Sequence, residues 1–340
     1  MQFELRTQVI EPKRKTFTNL VERYGDRPAS RYEEGSIDIQ CVENFHYKPL
    51  YDATRDHFDV DYTAFKLTDP YSFTDPRQFY YAPYVQSRAA MGEAFAKSLD
   101  YVDSHGLMGK LPAGWDAVVG EVFIPLRHWE AGAELVHIEG SRWAWGTTID
   151  QCCTFAAFDR IGNAQNISRI GIAYGAGHDG ALAAGKEKWM SDASMQGLRR
   201  LIEELLVERD YAKSLIAMDL ADRLLYKLMY SFLDEAALTG GAGAYSLLAQ
   251  HFASWFTDQR RWVDQLEATW LADPEFGEAN KAAANEIIGR RWNQIVEAVS
   301  DVAAAIDARV NVGASAFVAA SAAELAAELS AAGLTVPGGK

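Results

Sequence analysis

Two stretches of the chain place a carboxylate three residues before an imidazole: Glu43-Asn44-Phe45-His46 and Glu134-Leu135-Val136-His137. On a helix, positions i and i+3 share a face, so a Glu and a His so spaced can reach one metal ion. Bundles that hold two irons take such a pair from each of two helices and a further Glu from each of two others, and the bridging carboxylates offset the charge of the adjacent cations. The two contexts differ. Glu43 and His46 sit in a stretch without helical periodicity and are followed by Pro49, whose ring disfavours helix just before it. Glu134 and His137 fall on a helical pattern, but a second pair is missing. The later histidines are His178 and His251, and three residues before them stand Gly175 and Leu248. Asp219 and Asp222 repeat the spacing, yet two carboxylates without an imidazole make an incomplete, over-anionic set.

The expectation is that this chain holds no metal. Glu134 and His137 are then a remnant, part of a buried, hydrogen-bonded polar cluster with Asp222, Arg88 and Arg142, because buried charges need partners. An autonomous di-iron oxidase is the alternative, with Glu93, Glu203, Glu204 or Glu208 supplying further ligands.

Other motifs carry less. Gly175-Ala176-Gly177-His178-Asp179-Gly180 matches the dinucleotide fingerprint, but no strand precedes it and no strand-helix alternation surrounds it, so a glycine-rich loop between helices is expected. There is no hydrolase elbow, paired-cysteine metal knuckle or phosphate-binding Walker loop. Cys41, Cys152 and Cys153 cannot make a disulfide framework, and adjacent Cys152 and Cys153 read as buried helix residues.

The elements that must position these groups are helical. Tyr84, Arg88, Met91, Phe95, Leu99 and Val102 follow steps of three and four, with Pro83 in the first turn and Gly106 at the stop. A second segment over roughly 121–160 carries Leu135, Ile138, Arg142, Trp145, Ile149, Cys152 and Ala156 on one face, with apolar residues continuing round the cylinder as in a central bundle helix. A third is expected over 187–208 and a fourth over 211–236, giving a four-helix core. After Gly240-Gly241-Ala242-Gly243 come helices near 245–271, 275–308 and 321–332, the last with a capping box of Ser321 and Glu324 and a stop at Gly333. Residues 1–80 lack sustained periodicity but are too rich in Tyr and Phe to be disordered. They read as an extended N-terminal arm that packs on its own body, residues 81–340, or on another subunit.

Of the 340 residues, 47 are acidic and 33 basic, a formal charge of -14. That balance, with Lys13-Arg14-Lys15 the densest basic run, argues against nucleic-acid binding. With no export signal, no window of about 18 apolar residues and no cysteine framework, a cytoplasmic protein is expected.

Arg23-Tyr24-Gly25-Asp26-Arg27-Pro28-Ala29-Ser30-Arg31, Asn44-Phe45-His46-Tyr47-Lys48-Pro49-Leu50, and Asp75-Pro76-Arg77-Gln78-Phe79-Tyr80-Tyr81 with Tyr84-Val85-Gln86 are the motifs by which the chain resembles the β subunits of multicomponent phenol hydroxylases, soluble di-iron monooxygenases of bacteria. Pro125-Leu126-Arg127-His128, Asp159-Arg160-Ile161-Gly162 and Ser168-Arg169-Ile170-Gly171 extend the resemblance. It covers most of the chain, is strongest over 23–175 and weakens in the Ala-rich C-terminal quarter. It implies an all-α, ferritin-like bundle in a hydroxylase built from two copies each of α, β and γ subunits, with a regulatory coupling protein and a reductase carrying FAD and a 2Fe-2S cluster. In such a system the α subunit holds the di-iron site and hydroxylates phenols with O2 and NADH, as in phenol 2-monooxygenase. The β subunit supports it without catalytic residues of its own, and Glu43 and His46 become part of a structural arm. A β subunit of a related toluene or alkene monooxygenase would share the fold.

Overall fold

A computed structural model describes residues 16–41 and 54–338. Its described residues form an all-α, ferritin-like bundle. Two short helices, α1 (Thr18–Tyr24) and α2 (Arg31–Ser36), precede a long connection to α3 (Tyr81–Ser104). Then follow α4 (Ala113–Val118), α5 (Arg127–Trp143), α6 (Thr147–Tyr174), α7 (Gly180–Ser191), α8 (Ala193–Leu206), α9 (Tyr211–Lys227), α10 (Leu233–Thr239), α11 (Gly243–Leu271), α12 (Gly277–Val310) and α13 (Ala314–Ala331).

The segment expected as one helix over 121–160 is broken. A π-helical turn over Val119–Phe123 and a 3-10 turn over Ile124–Leu126, with Pro125 inside it, lead into α5. Gly146, at φ 100°, then separates α5 from α6, and a Cβ there would lie 2.8 Å from Pro70. Helices α5 and α6 thus form an antiparallel hairpin, drawn so close that a Cβ on Gly140 would meet Cys153 Sγ at 2.6 Å. Leu135 and Ile138, expected on the buried stripe, are exposed instead, because the hairpin buries the opposite side of α5 through Trp129, Ala133, Val136 and His137.

The third expected helix is also two, α7 and α8, divided at Asp192, whose carboxylate caps α8 by accepting from Ser194 N–H. The fourth is α9, capped by Asp210, a second π-helical turn over Leu228–Phe232, and α10. Helix α9 is buried on nearly every side, as a helix in mid-bundle must be. The capping box does not form. Ser321 is buried within α13, which starts earlier, after the left-handed residues Asn311 and Gly313. Its first amides are capped from α12 by Asp307, which accepts from Gly313, Ala314 and Ser315 at 2.8–2.9 Å. The stop at Gly333, φ 79°, is as expected.

The described arm lies on the body. Phe65, Leu67 and Phe73 join the same apolar core as the helices, and the extended backbone that carries them is gripped by polar side chains. Asn280 accepts from Lys66 N–H at 2.8 Å and donates to Lys66 C=O at 2.7 Å. Asp210 accepts from Thr63 Oγ1 and Ala64 N–H, and Asp273 from Thr68 N–H and Oγ1, all at 2.6–2.8 Å. An extended segment needs such partners, since buried amides outside helices have no local acceptor.

Candidate functional site

At the centre of the bundle, where α5, α6, α9 and α11 meet, lies a charged cluster around Arg160 of α6. Its Nη1 donates to Glu130 Oε2 of α5 at 3.0 Å and to the Tyr226 hydroxyl of α9 at 3.2 Å, and its Nη2 donates to Asp222 Oδ2, also of α9. The remaining carboxylate oxygens are taken too. Tyr226 O–H donates to Glu130 Oε1 at 2.5 Å, and Trp129 Nε1–H donates to Asp222 Oδ1 at 2.9 Å. Arg160 Cζ sits 4.7 Å from the Trp255 ring of α11. Glu130, Arg160 and Asp222 are each at most 2% exposed. Burial alone would lower the Arg160 pKa, but Asp222 and Glu130 hold it well above its ordinary value, so the guanidinium stays charged.

A second network joins this core to the strap, the part of the arm over residues 63–80. Asp159, next to Arg160, accepts from Arg88 at 2.7–3.0 Å, from the Tyr84 hydroxyl at 2.9 Å and from Trp255 Nε1 at 3.0 Å. Arg88 and Arg77 both reach Asp258, and Arg77 also pairs with Asp75 at the end of the arm. Charges of alternating sign therefore run from Asp75 to Asp159 through the side of the bundle.

The expected pair divides. His137 is buried; its Nδ1–H donates to Ala133 C=O at 2.8 Å and its Nε2 faces Gln259 Nε2 at 3.3 Å, while Gln259 Oε1 accepts from Trp262. Burial, with Arg160 nearby, depresses its pKa to about 3, so the ring is neutral. Glu134 is only part-buried, and the carboxylate on the inner face of α5 is Glu130 instead. The spacing of Asp219 and Asp222 is divided as well: Asp222 faces Arg160, whereas Asp219 pairs with Arg260. Arg88, expected in one cluster with Glu134, His137 and Asp222, pairs instead with Asp159 and Asp258. Arg142, expected in the same cluster as Asp222, instead has its guanidinium 5.8 Å from the Trp143 ring. The alternative ligands do not converge: Glu93 is exposed, and Glu203, Glu204 and Glu208 form outer ion pairs with Arg199, Arg200 and Arg290. Glu43 and His46 lie outside the described residues. The Gly175–Gly180 motif is the turn between α6 and α7, with Gly177 at φ 90° and no strand before it.

Residue spacing missed Glu130, Arg160, Tyr226 and Gln259. Glu130 and His137 lie seven residues apart on one face of α5, a heptad signal that was present in the sequence; nothing local marks Arg160 as their partner.

The donor set does not fit a di-iron group. Both oxygens of Glu130 and of Asp222 already accept hydrogen bonds, and the cation between them is Arg160. Among the described residues no grouping of three or more His, Cys, Asp and Glu could hold a metal ion. Nor is any described helix long and apolar enough to cross a membrane.

Known proteins of the same architecture now bear on this geometry. Residues 48–274 match the family model described as methane/phenol/alkene hydroxylase. The chain is 39% identical over 274 residues to the phenol 2-monooxygenase oxygenase component DmpL of Pseudomonas sp. (strain CF600), covering 80% of this chain and 83% of that one. It is 36% identical to the phenol 2-monooxygenase oxygenase component MhpL of Acinetobacter pittii, covering 84% and 86%. It is 27% identical to the methane monooxygenase component A beta chain of Methylosinus trichosporium, covering 53% and 48%. A chain of the xenon-pressurized phenol hydroxylase structure from Pseudomonas sp. OX1 superposes with a TM-score of 0.89 at 30% identity, covering 99% of this chain and all of that one. Together with the helical bundle, these likenesses show that the chain belongs to the methane/phenol/alkene hydroxylase family.

Proposed function

We propose that this chain is the non-catalytic β subunit of the oxygenase component of a cytoplasmic phenol hydroxylase. The observation that carries the reading is the Arg160 guanidinium lodged between Glu130 and Asp222. In this architecture, metal ions are held in the bundle core by inward carboxylates and imidazoles. Here the two inward carboxylates share a covalently attached cation that cannot be lost, cannot change oxidation state and offers no open coordination position. The likeness to DmpL and MhpL, named as oxygenase components of phenol 2-monooxygenases, supports the activity of the whole assembly, and the likeness to a chain named beta supports the subunit.

On this reading the di-iron site and the phenol-hydroxylating chemistry belong to a partner α subunit. A small γ subunit completes an assembly with two copies of each, and a coupling protein and a reductase with FAD and a 2Fe-2S cluster deliver electrons from NADH. The test is metal analysis of the chain purified alone and with its α partner. Iron is expected to follow the partner, with well below one iron per isolated chain and no oxygenase activity. Two tightly held irons in the isolated chain would overturn the proposal.

A further inference from the structure

The hydroxyl of Tyr226 meets Glu130 Oε1 at 2.5 Å, the short end of hydrogen bonds from an O–H to a carboxylate. That oxygen is left to Tyr226, because Arg160 Nη1 donates to the other, Oε2. Tyr226 is 2% exposed and Glu130 1%, so water does not compete for the proton between them. Two other buried tyrosines differ. Tyr84 also faces a carboxylate, but Asp159 is already loaded with donors from Arg88 and Trp255. Tyr245 donates to the Met229 carbonyl, which is no proton acceptor.

The charge around Tyr226 points the same way. The Glu130 and Asp222 carboxylates share the single cation Arg160, and burial, reinforced by Glu130, pushes Asp222 up to about 7. The cluster therefore carries an excess of buried negative charge, which the loss of one electron relieves. A positive hole on Trp255 would instead lie 4.7 Å from the Arg160 guanidinium and be repelled by it. A tyrosine that gives up its proton with its electron becomes a neutral radical and avoids that repulsion. The ring is also close to the surface. Tyr226 lies in the floor of an open hollow of about 230 Å³, and its ring stacks at 4.6 Å on half-buried Phe256.

We infer that Tyr226 is a redox-active residue: a one-electron oxidant of the oxygen-radical class takes an electron from it while its phenolic proton passes to Glu130. The Tyr226 O–H bond breaks, a Glu130 O–H bond forms, the oxidant is reduced by one electron and no atom leaves the protein. An electron from an external reductant such as ascorbate, with return of the proton, restores the pair. The bundle core thereby serves as a sink for oxidising equivalents. The inference uses this chain's own geometry, so it stands or falls apart from the subunit assignment.

The test is flash photolysis of ruthenium tris-bipyridine with persulfate, which generates a one-electron oxidant, applied to the full chain and followed by rapid-freeze electron paramagnetic resonance. Wild type is expected to give a persistent neutral tyrosyl radical, coupled to exchangeable protons from Glu130 and Arg160 Nη1 that D2O removes. Tyr226→Phe should lose it, whereas Tyr84→Phe and Tyr245→Phe should keep it. Glu130→Gln cannot take up the proton and should slow radical formation about a hundredfold, the scale of a lost proton acceptor. A wild-type chain with no persistent tyrosyl radical, or with one that lacks those exchangeable couplings, would overturn the inference, and neither measurement depends on a variant that folds. A radical undiminished in folded Tyr226→Phe would overturn it as well.

Discussion

Arg160 is held by two carboxylates and a tyrosine in a space with almost no solvent contact. Removing one member of a buried charge cluster leaves the others desolvated and unpaired, which costs about 3–5 kcal/mol. Arg160→Leu should therefore destabilise the chain by about that amount in urea denaturation, and adding Glu130→Gln and Asp222→Asn should recover a large part, because the uncompensated charge is removed with its partner. His137 gives a pH dependence of defined sign. Its folded pKa is depressed to about 3 from the ordinary imidazole value of about 6.5, so the unfolded chain binds the proton first and stability falls as pH drops below the unfolded value. From about pH 8 to about pH 5 the His137 contribution should fall by about 2 kcal/mol. His137→Gln should reduce that part of the slope when melting is followed across the window; an unchanged slope would assign the acid sensitivity to other groups. Of these residues, His137 and Asp222 could be singled out from spacing, and Glu130 could have been. Arg160 could not, since an arginine on a helix is ordinarily solvated and only its neighbours reveal that it is an interior counter-ion.

Elements were legible where their signals were local and obscured where the signals were tertiary. The start of α3 near Pro83 and its stop at Gly106 follow from chain chemistry alone. The split of the expected 121–160 helix depends on Pro125 and on Gly146, whose importance comes from Pro70 packed against it. Helix α13 likewise begins where Asp307 of another helix caps it, so a Ser-Glu pair farther along was a false signature. The α5–α6 hairpin tests the value of close approach. Gly140→Ala places a methyl against Cys153, and overpacking of this kind costs about 1–3 kcal/mol; a thermal melt should show the loss, and Gly140→Ala with Cys153→Ala should relieve part of it. The strap gives a local counterpart. Asn280→Ala removes both bonds to Lys66 and one to Trp270 C=O, so amide exchange over 63–68 should accelerate more than exchange in α9. Uniform acceleration across both would show that the strap opens only with the whole fold.

At the scale of the molecule, one apolar core runs through the bundle, the C-terminal helices and the strap by way of Phe65, Leu67 and Phe73, so this part of the arm is integral to the fold. Deleting residues 1–60, which spares that strap, is expected to weaken assembly with an α subunit more than it lowers the melting temperature; equal assembly of the truncated and full chains would refute a docking role for the deleted part. The sequence by itself determined the helical class, the net acidic charge, the absence of any Glu-His pair after His137 and the family motifs, because composition, periodicity and spacing are properties of the chain alone. Only the tertiary structure decided that Glu134 turns away while Glu130 turns inward, and that Asp219 and Asp222 serve different arginines. It alone placed Arg160 where two inward carboxylates would otherwise need another cation. The physical reason is that spacing fixes which residues share a helical face, whereas the packing of four helices decides which faces meet and which charge is left to neutralise the interior.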